Sequence, residues 1–332
     1  MRGRGIAYST GFVVKGENSL PELDPEAVRR DLTVIRDELH CTAVHLVGGD
    51  PERLEQAARA AAGLGLEVWF SPYPLELTPA EISALFLDCA RRAERVRADG
   101  AEVVFVAGAE LSIMNSGFTP GSDVLDRVGQ LLGNPARMAE AAARLNEFLA
   151  EAVTAVRAEF HGRVTYAAIP FERVDWELFD IVSLELIRSA EVADRYVEGV
   201  RSVVAQGKPV AITGFGTAAW RGSGAVAPRS MEIVEHDAGG RPVGIKDGYV
   251  RDEAEQAAYL RDLLAIFEAE GVDSAFVYLF ALNDFTHRPD DPRRDLDMAS
   301  PGIVKVFEDG SWAPKEAFAA VAEHYARTAA PA

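Results

Sequence analysis

The sequence predicts a (β/α)8 TIM barrel of the α/β class, formed as one domain over residues 1–332, and three observations carry that prediction. Short runs rich in Val, Ile, Phe and Tyr alternate with long amphipathic runs, as when parallel strands are joined by helical crossovers. Eight such runs occur, the number that closes this kind of barrel. No repeat, low-complexity tract or Pro/Ser-rich linker marks a domain boundary.

In order, the strands read GIAYST (5–10), TAVHLVG (42–48), EVWFSP (67–72), EVVFVAGAE (102–110), RVTYAAIP (163–170), DIVSLELI (180–187), PVAITGFG (209–216) and SAFVYLFA (274–281). Most are too apolar to carry a solvated face, which suits strands covered by helices outside and packed into a filled barrel inside. Helix starts are marked at Pro25-Glu26, Pro51-Glu52, Pro79-Ala80-Glu81 and Asn134-Pro135, where proline sits in a first turn at little cost. Stops fall at Gly65, Gly100, Gly207 and Gly271. Between the fifth and sixth strands only FERVDWELF is available, enough for a turn or two of helix. Two βα loops, 111–133 and 217–250, are long, and loops of that size in a compact fold commonly serve as lids or binding loops.

A hydrophobic fraction of 48% and a charged fraction of 26% give an ordinary globular balance with ample core. No apolar run approaches the roughly 20 residues that cross a bilayer, so no membrane association is expected. The N-terminal MRGRGIAYSTGF lacks the continuous apolar core of a secretory signal, and a cytoplasmic location is expected. Cys41 and Cys89, the two cysteines, are too few for a disulfide framework and lie outside any CxxC pattern. The net charge of −18, with basic residues dispersed beside acidic ones, argues against nucleic acid as a partner.

Catalytic groups of this fold sit at the carboxyl ends of strands. Glu110 closes the fourth strand, where burial raises a carboxyl toward the range useful for a general acid; pairing with an arginine or capping of the next loop is the competing account. Glu185 ends the sixth strand with Arg188 three residues on, a catalytic carboxylate or an ion pair at the rim. His45 within the second strand is a third catalytic candidate, against the plainer reading of a hydrogen-bonded core histidine. Tyr8, Ser9, Tyr166, Arg188, Asn283 and Asp284 are candidates for substrate hydrogen bonds, and Trp69, Tyr73 and Trp220 for apolar walls or stacking platforms. HExxH, clustered histidines, GxSxG and the Walker phosphate loop are all missing from the sequence, so zinc hydrolysis, serine hydrolysis and nucleotide chemistry lack support. Neither a metal nor a cofactor is expected. The acidic stretch at 288–300 departs from EF-hand spacing, and its interleaved arginines suggest a solvated, self-paired segment.

The fourth and seventh strands resemble the glutamate-bearing strands of the large clan of retaining glycoside hydrolases built on (β/α)8 barrels. GKPVAITGFG, DLDMAS and AVHLVGGDPERLEQAARAAAGLGLEVWFSP are similar, over nearly the whole chain, to an actinobacterial barrel family often labelled abortive infection protein. The clan resemblance implies Glu110 as acid/base. It also implies a nucleophile glutamate at the end of the seventh strand, where this chain reads Thr213-Gly214-Phe215-Gly216. Glycine attacks no anomeric carbon, so the usual double displacement, with carboxyls about 5–5.5 Å apart, loses one partner. Gly214 thereby becomes a candidate substrate-site position. His45 stands where the clan places an arginine, Ser9 where the similar family carries aspartate, and Ile187 where it carries tyrosine.

These features suggest an enzyme with a small-molecule substrate, using Glu110 as general acid/base on an apolar or modified compound of specialised metabolism, by cyclisation, isomerisation, dehydration or a related step. The alternatives are a glycoside hydrolase or synthase-like variant in which Glu185 or a substrate group replaces the lost carboxylate, and a non-catalytic sugar-binding pseudo-enzyme. No oligomeric state is implied.

Overall fold

The computed structural model describes residues 1–237 and 241–328. Eight parallel strands close into a barrel in chain order: β1 (Gly3–Ser9), β2 (Ala43–Gly48), β3 (Glu67–Pro72), β4 (Val103–Ala109), β5 (Arg163–Ala168), β6 (Val182–Glu185), β7 (Val210–Phe215) and β8 (Ser274–Val277). Closure is made by β8 on β1, from Gly3 opposite Ser274 to Ile6 opposite Val277. The (β/α)8 fold read from the sequence is the fold observed. Both faces of the strands are apolar because both are covered. Val44 and Leu46 of β2 pack outward into the helical layer, whereas Ala43, Trp69, Val104, Ile181, Ala211 and Phe276 fill the barrel.

Helices α1 (Pro25–Asp37), α2 (Pro51–Gly63) and α3 (Pro79–Ala98) follow the first three strands. After β4 come the short α4 (Leu111–Met114) and α5 (Val124–Leu131) and then the long α6 (Pro135–Glu159). Four of these begin at the prolines that the sequence marked, each preceded by a side chain, Asp24, Asp50, Thr78 or Asn134, that accepts a first-turn amide. Between β5 and β6 lie only two single 3₁₀ turns, Pro170–Glu172 and Trp176–Leu178. Then α7 (Ala193–Val204), α8 (Glu253–Ala269) and α9 (Glu316–Thr328) complete the ring.

The described residues of the segment 217–250, namely 217–237 and 241–250, form a cap over one side of the barrel mouth. It carries a 3₁₀ stretch, Ser223–Arg229, and a hairpin of Val234–His236 with Pro242–Ile245. Beneath it Trp220, Ile233, Ile245, Leu279, Phe285 and Met298 form a second apolar core.

A buried charge cluster ties this cap to the C-terminal segment. The Arg251 guanidinium lies 3.0 Å from Asp295, 2.6 Å from Asp297 and 3.1 Å from His287 Nδ1, and its other arm reaches Glu253 at 2.9 Å. Lys315, 2% exposed, approaches Asp297, 1% exposed, at 3.0 Å. The expectation of a solvated, self-paired stretch at 288–300 is therefore corrected for its second half. Asp295 and Asp297 are buried, and their cations come from distant positions rather than the neighbouring arginines. His287, Asp295 and Asp297 offer ligand atoms within 4.8 Å of one another, but a guanidinium already occupies the space between them. Removing one partner of such a pair strands a buried charge, so Lys315→Met is expected to cost about 3–5 kcal/mol. Urea unfolding measures this, and a loss below about 1 kcal/mol would mean the cluster is solvated in solution.

Candidate active site

Backbone irregularities bring two carboxyls into the mouth. In β4 the register with β5 shifts between Val106 and Ala109, and Gly108 lies at φ +83°. A Cβ there would come within 2.9 Å of Phe86 and 3.0 Å of Leu111, so the bend needs glycine on both counts. It delivers Glu110, itself left-handed at φ 47° and ψ 36°. In β7 the residue opposite Leu184 is Ile212, while the residue opposite Glu185 is Gly214, so Thr213 is an extra residue on that strand.

That bulge explains the glycine. A Cβ built on Gly214 would overlap Glu185 Oε2 and lie 2.7 Å from Cδ and 3.1 Å from Oε1. The carboxyl of the sixth strand thus fills the place that a side chain on the seventh would take. Arg188, which an ion pair with Glu185 would require, instead meets Asp262 at 3.3 Å and stacks over Tyr259 at 5.4 Å, on α8. Among the described residues, the carboxyl groups of Glu110 and Glu185 form no ion pair.

Burial, then the like charges of Glu185 and Glu172, push Glu110 up to about 8. Glu185 is pushed up to about 7 by burial, with Thr213 working the other way and Glu172 adding to the rise. Both residues keep partial exposure, as groups at the base of an open mouth do. Tyr73, just beyond β3, and Tyr278, just beyond β8, share this environment: burial and the charges of Glu110 and Glu185 raise both phenols.

Glu172, in the turn after β5, was missed by the sequence reading. It is 1% exposed, and its Oε1 accepts from the Tyr166 hydroxyl at 2.8 Å and the Ser112 amide at 3.1 Å. Its Oε2 accepts from the Ile169 amide at 3.0 Å, and burial pushes it up to about 7 despite these donors. Tyr166 accepts in turn from the Leu111 amide at 2.8 Å. The available signal was a glutamate closing a Pro-Phe-Glu turn at a strand end, where a carboxylate reaches back to free amides.

Other candidates from the sequence are placed elsewhere. His45 lies within the barrel, with Nδ1 3.1 Å from the Thr213 carbonyl; that acceptor assigns the proton to Nδ1. Burial drives His45 down to about 4, so it is neutral near pH 7, and Nε2 has no partner among the described residues. Trp69 fills the barrel interior, against Phe276 at 4.7 Å, and its indole reaches Glu67 at 3.1 Å at the start of its own strand, away from the mouth. Tyr8 faces outward, donating to Asp31 of α1 at 3.0 Å, and Ser9 accepts from the Gly11 amide at 3.2 Å. Tyr8 and Asn283 line a separate cleft of about 550 Å³ with Asp31 and Trp312. Trp220 donates to the Ser230 carbonyl at 2.8 Å inside the second core, so it is packed rather than presented as a platform. Asp284 stands at the exposed rim, near enough to Tyr278 for its charge to act on that phenol. No helix among the described residues is long and apolar enough to cross a membrane.

Solved structures that share this barrel fold include several glycoside hydrolases. A GH113 β-1,4-mannanase matches at TM-score 0.64 and 15% identity, over 98% of each chain. The GH113 β-mannanase of Alicyclobacillus acidocaldarius matches at 0.57 and 17%, over 98% of this chain and 97% of that one. The Bacteroides uniformis β-glucuronidase 2 matches at 0.62 and 15%, over all of this chain but 36% of the larger enzyme. At these identities the likeness establishes a shared fold. No protein-family model matches the chain, and no curated protein sequence does.

Proposed function

We propose that this chain is a glycosidase-like enzyme whose carboxyl pair is Glu110 and Glu185, the second supplied by the sixth strand in place of the seventh. The observation that carries the reading is the Glu185 carboxyl in the space beside Gly214. Between pH 7 and 8 the raised values leave Glu110 protonated and Glu185 ionised. Glu110 then donates its proton to the departing glycosidic oxygen, and Glu185 faces the positive charge that develops on the sugar carbon. Glu110, once deprotonated, takes a proton from the incoming water and the cycle closes. Neither a metal nor a cofactor enters any of these steps. Because Glu110 is raised only by burial and neighbouring carboxylates, a small uncharged glycoside suits the mouth better than a uronate.

The experiment is a panel of aryl glycosides, β-mannosides included, assayed from pH 5 to 10. The expected kcat/KM profile is a bell: it rises as Glu185 ionises through about 7 and falls as Glu110 loses its proton through about 8. A flat profile, or an optimum near pH 5 on a good substrate, counts against the assignment.

A second reading has one observation in its favour: with both carboxyls raised and Tyr73 and Tyr278 beside them, the mouth is largely uncharged below pH 7. Such a site suits proton transfer by Glu110 on an apolar substrate of specialised metabolism, in a cyclisation, isomerisation or dehydration. Turnover of such a compound with no hydrolysis anywhere in the glycoside panel would favour it.

A further inference from the structure

We propose that Glu172 is a positioning residue that, with Tyr166, satisfies the Leu111 and Ser112 amides and so keeps the Glu110 carboxyl free in the mouth. The inference rests on the reading of Glu110 as the general acid. A carboxylate placed just before a helical turn ordinarily turns back onto the first free amides, as Asp24 and Asp50 do in this chain. Glu110 occupies that place before α4 and makes no such bond. The equivalent amide, Ser112, is already engaged by Glu172 at 3.1 Å, and the Leu111 amide before it by the Tyr166 hydroxyl at 2.8 Å. Tyr166 and Glu172 are themselves joined at 2.8 Å, and Ile169 anchors Glu172 from its other oxygen at 3.0 Å.

The same bonds hold a backbone that would not hold itself. A left-handed conformation is disfavoured for glutamate, and neighbouring contacts must offset its cost. The Glu110 amide is fixed on the Ala167 carbonyl at 3.0 Å, and Tyr166, the residue before Ala167, fixes Leu111. Both sides of the turn are therefore held by β5 and its loop. The groups whose charges act on Glu110, or on which its charge acts, are Tyr73 after β3, Tyr166 and Glu172 from β5 and its turn, Glu185 on β6 and Tyr278 after β8. None of these is cationic, so none offsets the charge of the Glu110 anion.

The test compares Glu172→Ala with Glu172→Gln in the full chain. Glu110 is titrated by carbon-13 NMR of labelled glutamate carboxyls, assigned with Glu110→Gln, and kcat and KM are read on a glycoside that is turned over. In Glu172→Ala the Glu110 carboxyl is expected to fall onto the vacated Ser112 amide. Its midpoint then drops by about one unit more than in Glu172→Gln, because both variants lose the same like charge and only Glu172→Ala frees a donor that favours the anion. Loss of position lowers kcat by about 10²-fold with KM little changed. Glu172→Gln retains an oxygen for the Ser112 amide and is expected to restore most of kcat, its alkaline limb moving to lower pH because one like charge is gone. Should Glu172→Ala not fold, Tyr166→Phe, which removes the Leu111 acceptor, is expected to move the midpoint the same way. A Glu110 midpoint no lower in Glu172→Ala than in Glu172→Gln, an unchanged midpoint in Tyr166→Phe where Glu172→Ala does not fold, or equal losses of kcat for Ala and Gln, would overturn the proposal. The titration needs no substrate, so it reports on positioning even if the assignment of glycoside chemistry fails.

Discussion

Glu110→Gln and Glu185→Gln are each expected to lower kcat/KM by about 10²–10⁴-fold, the range that positioned acid–base catalysis supplies. The two losses differ in kind. Glu110→Gln removes the proton donor, so aryl glycosides with good leaving groups, which need little protonation, suffer least. Glu185→Ala leaves an opening beside Gly214, and azide or formate should enter it and restore turnover, since no side chain at 214 fills the gap. Stability moves the other way. Both carboxyls have folded-state values above the ordinary one, so their contribution is full below about pH 4 and is lost as pH rises through about 7 and 8. The glutamine variants escape that loss, and their Tm should exceed the parent's at pH 8.5 and converge with it at pH 4. Variants that lose activity and stability together at pH 8.5 would show that these groups serve packing.

Moving the carboxylate back to the seventh strand gives the second large effect. Gly214→Ala is expected to destabilise the chain by about 1–3 kcal/mol, because the new Cβ must evict the Glu185 carboxyl from a filled site. Gly214→Glu alone should be nearly inactive, with two carboxylates forced into one space. Paired with Glu185→Gly, the same substitution delivers a single carboxylate to the same place from the neighbouring strand. The double variant should recover both stability and at least a tenth of parental kcat/KM, far more than additivity of the singles allows. Additive behaviour in this cycle would separate Glu185 from position 214 and end the substitution argument.

Strand count, strand order and most helix starts were legible in the sequence, because each depends on a local rule. Apolar runs covered on both faces mark buried strands, and proline after Asp, Thr or Asn marks a first turn. Glu110 was legible too, as a carboxylate closing an apolar run. Trp69 was not. An aromatic in an apolar strand suggested a wall or stacking platform near the mouth, yet its indole reaches back to Glu67 and its ring fills the barrel interior. Asp295 and Asp297 looked solvated among their arginines, and only folding brought Arg251 and Lys315 to them.

The sequence by itself determined that this chain closes an eight-stranded barrel and that Glu110 ends its fourth strand, since periodicity and punctuation act over a few neighbouring residues. Tertiary structure decided what the glycine at 214 means. Read along the chain it is a missing carboxylate. In the fold an extra residue in β7 sets Gly214 opposite Glu185, and the space is already filled. The register between two strands is set by how the whole barrel packs, and Glu185 and Gly214 are joined by no local pattern that a linear reading contains.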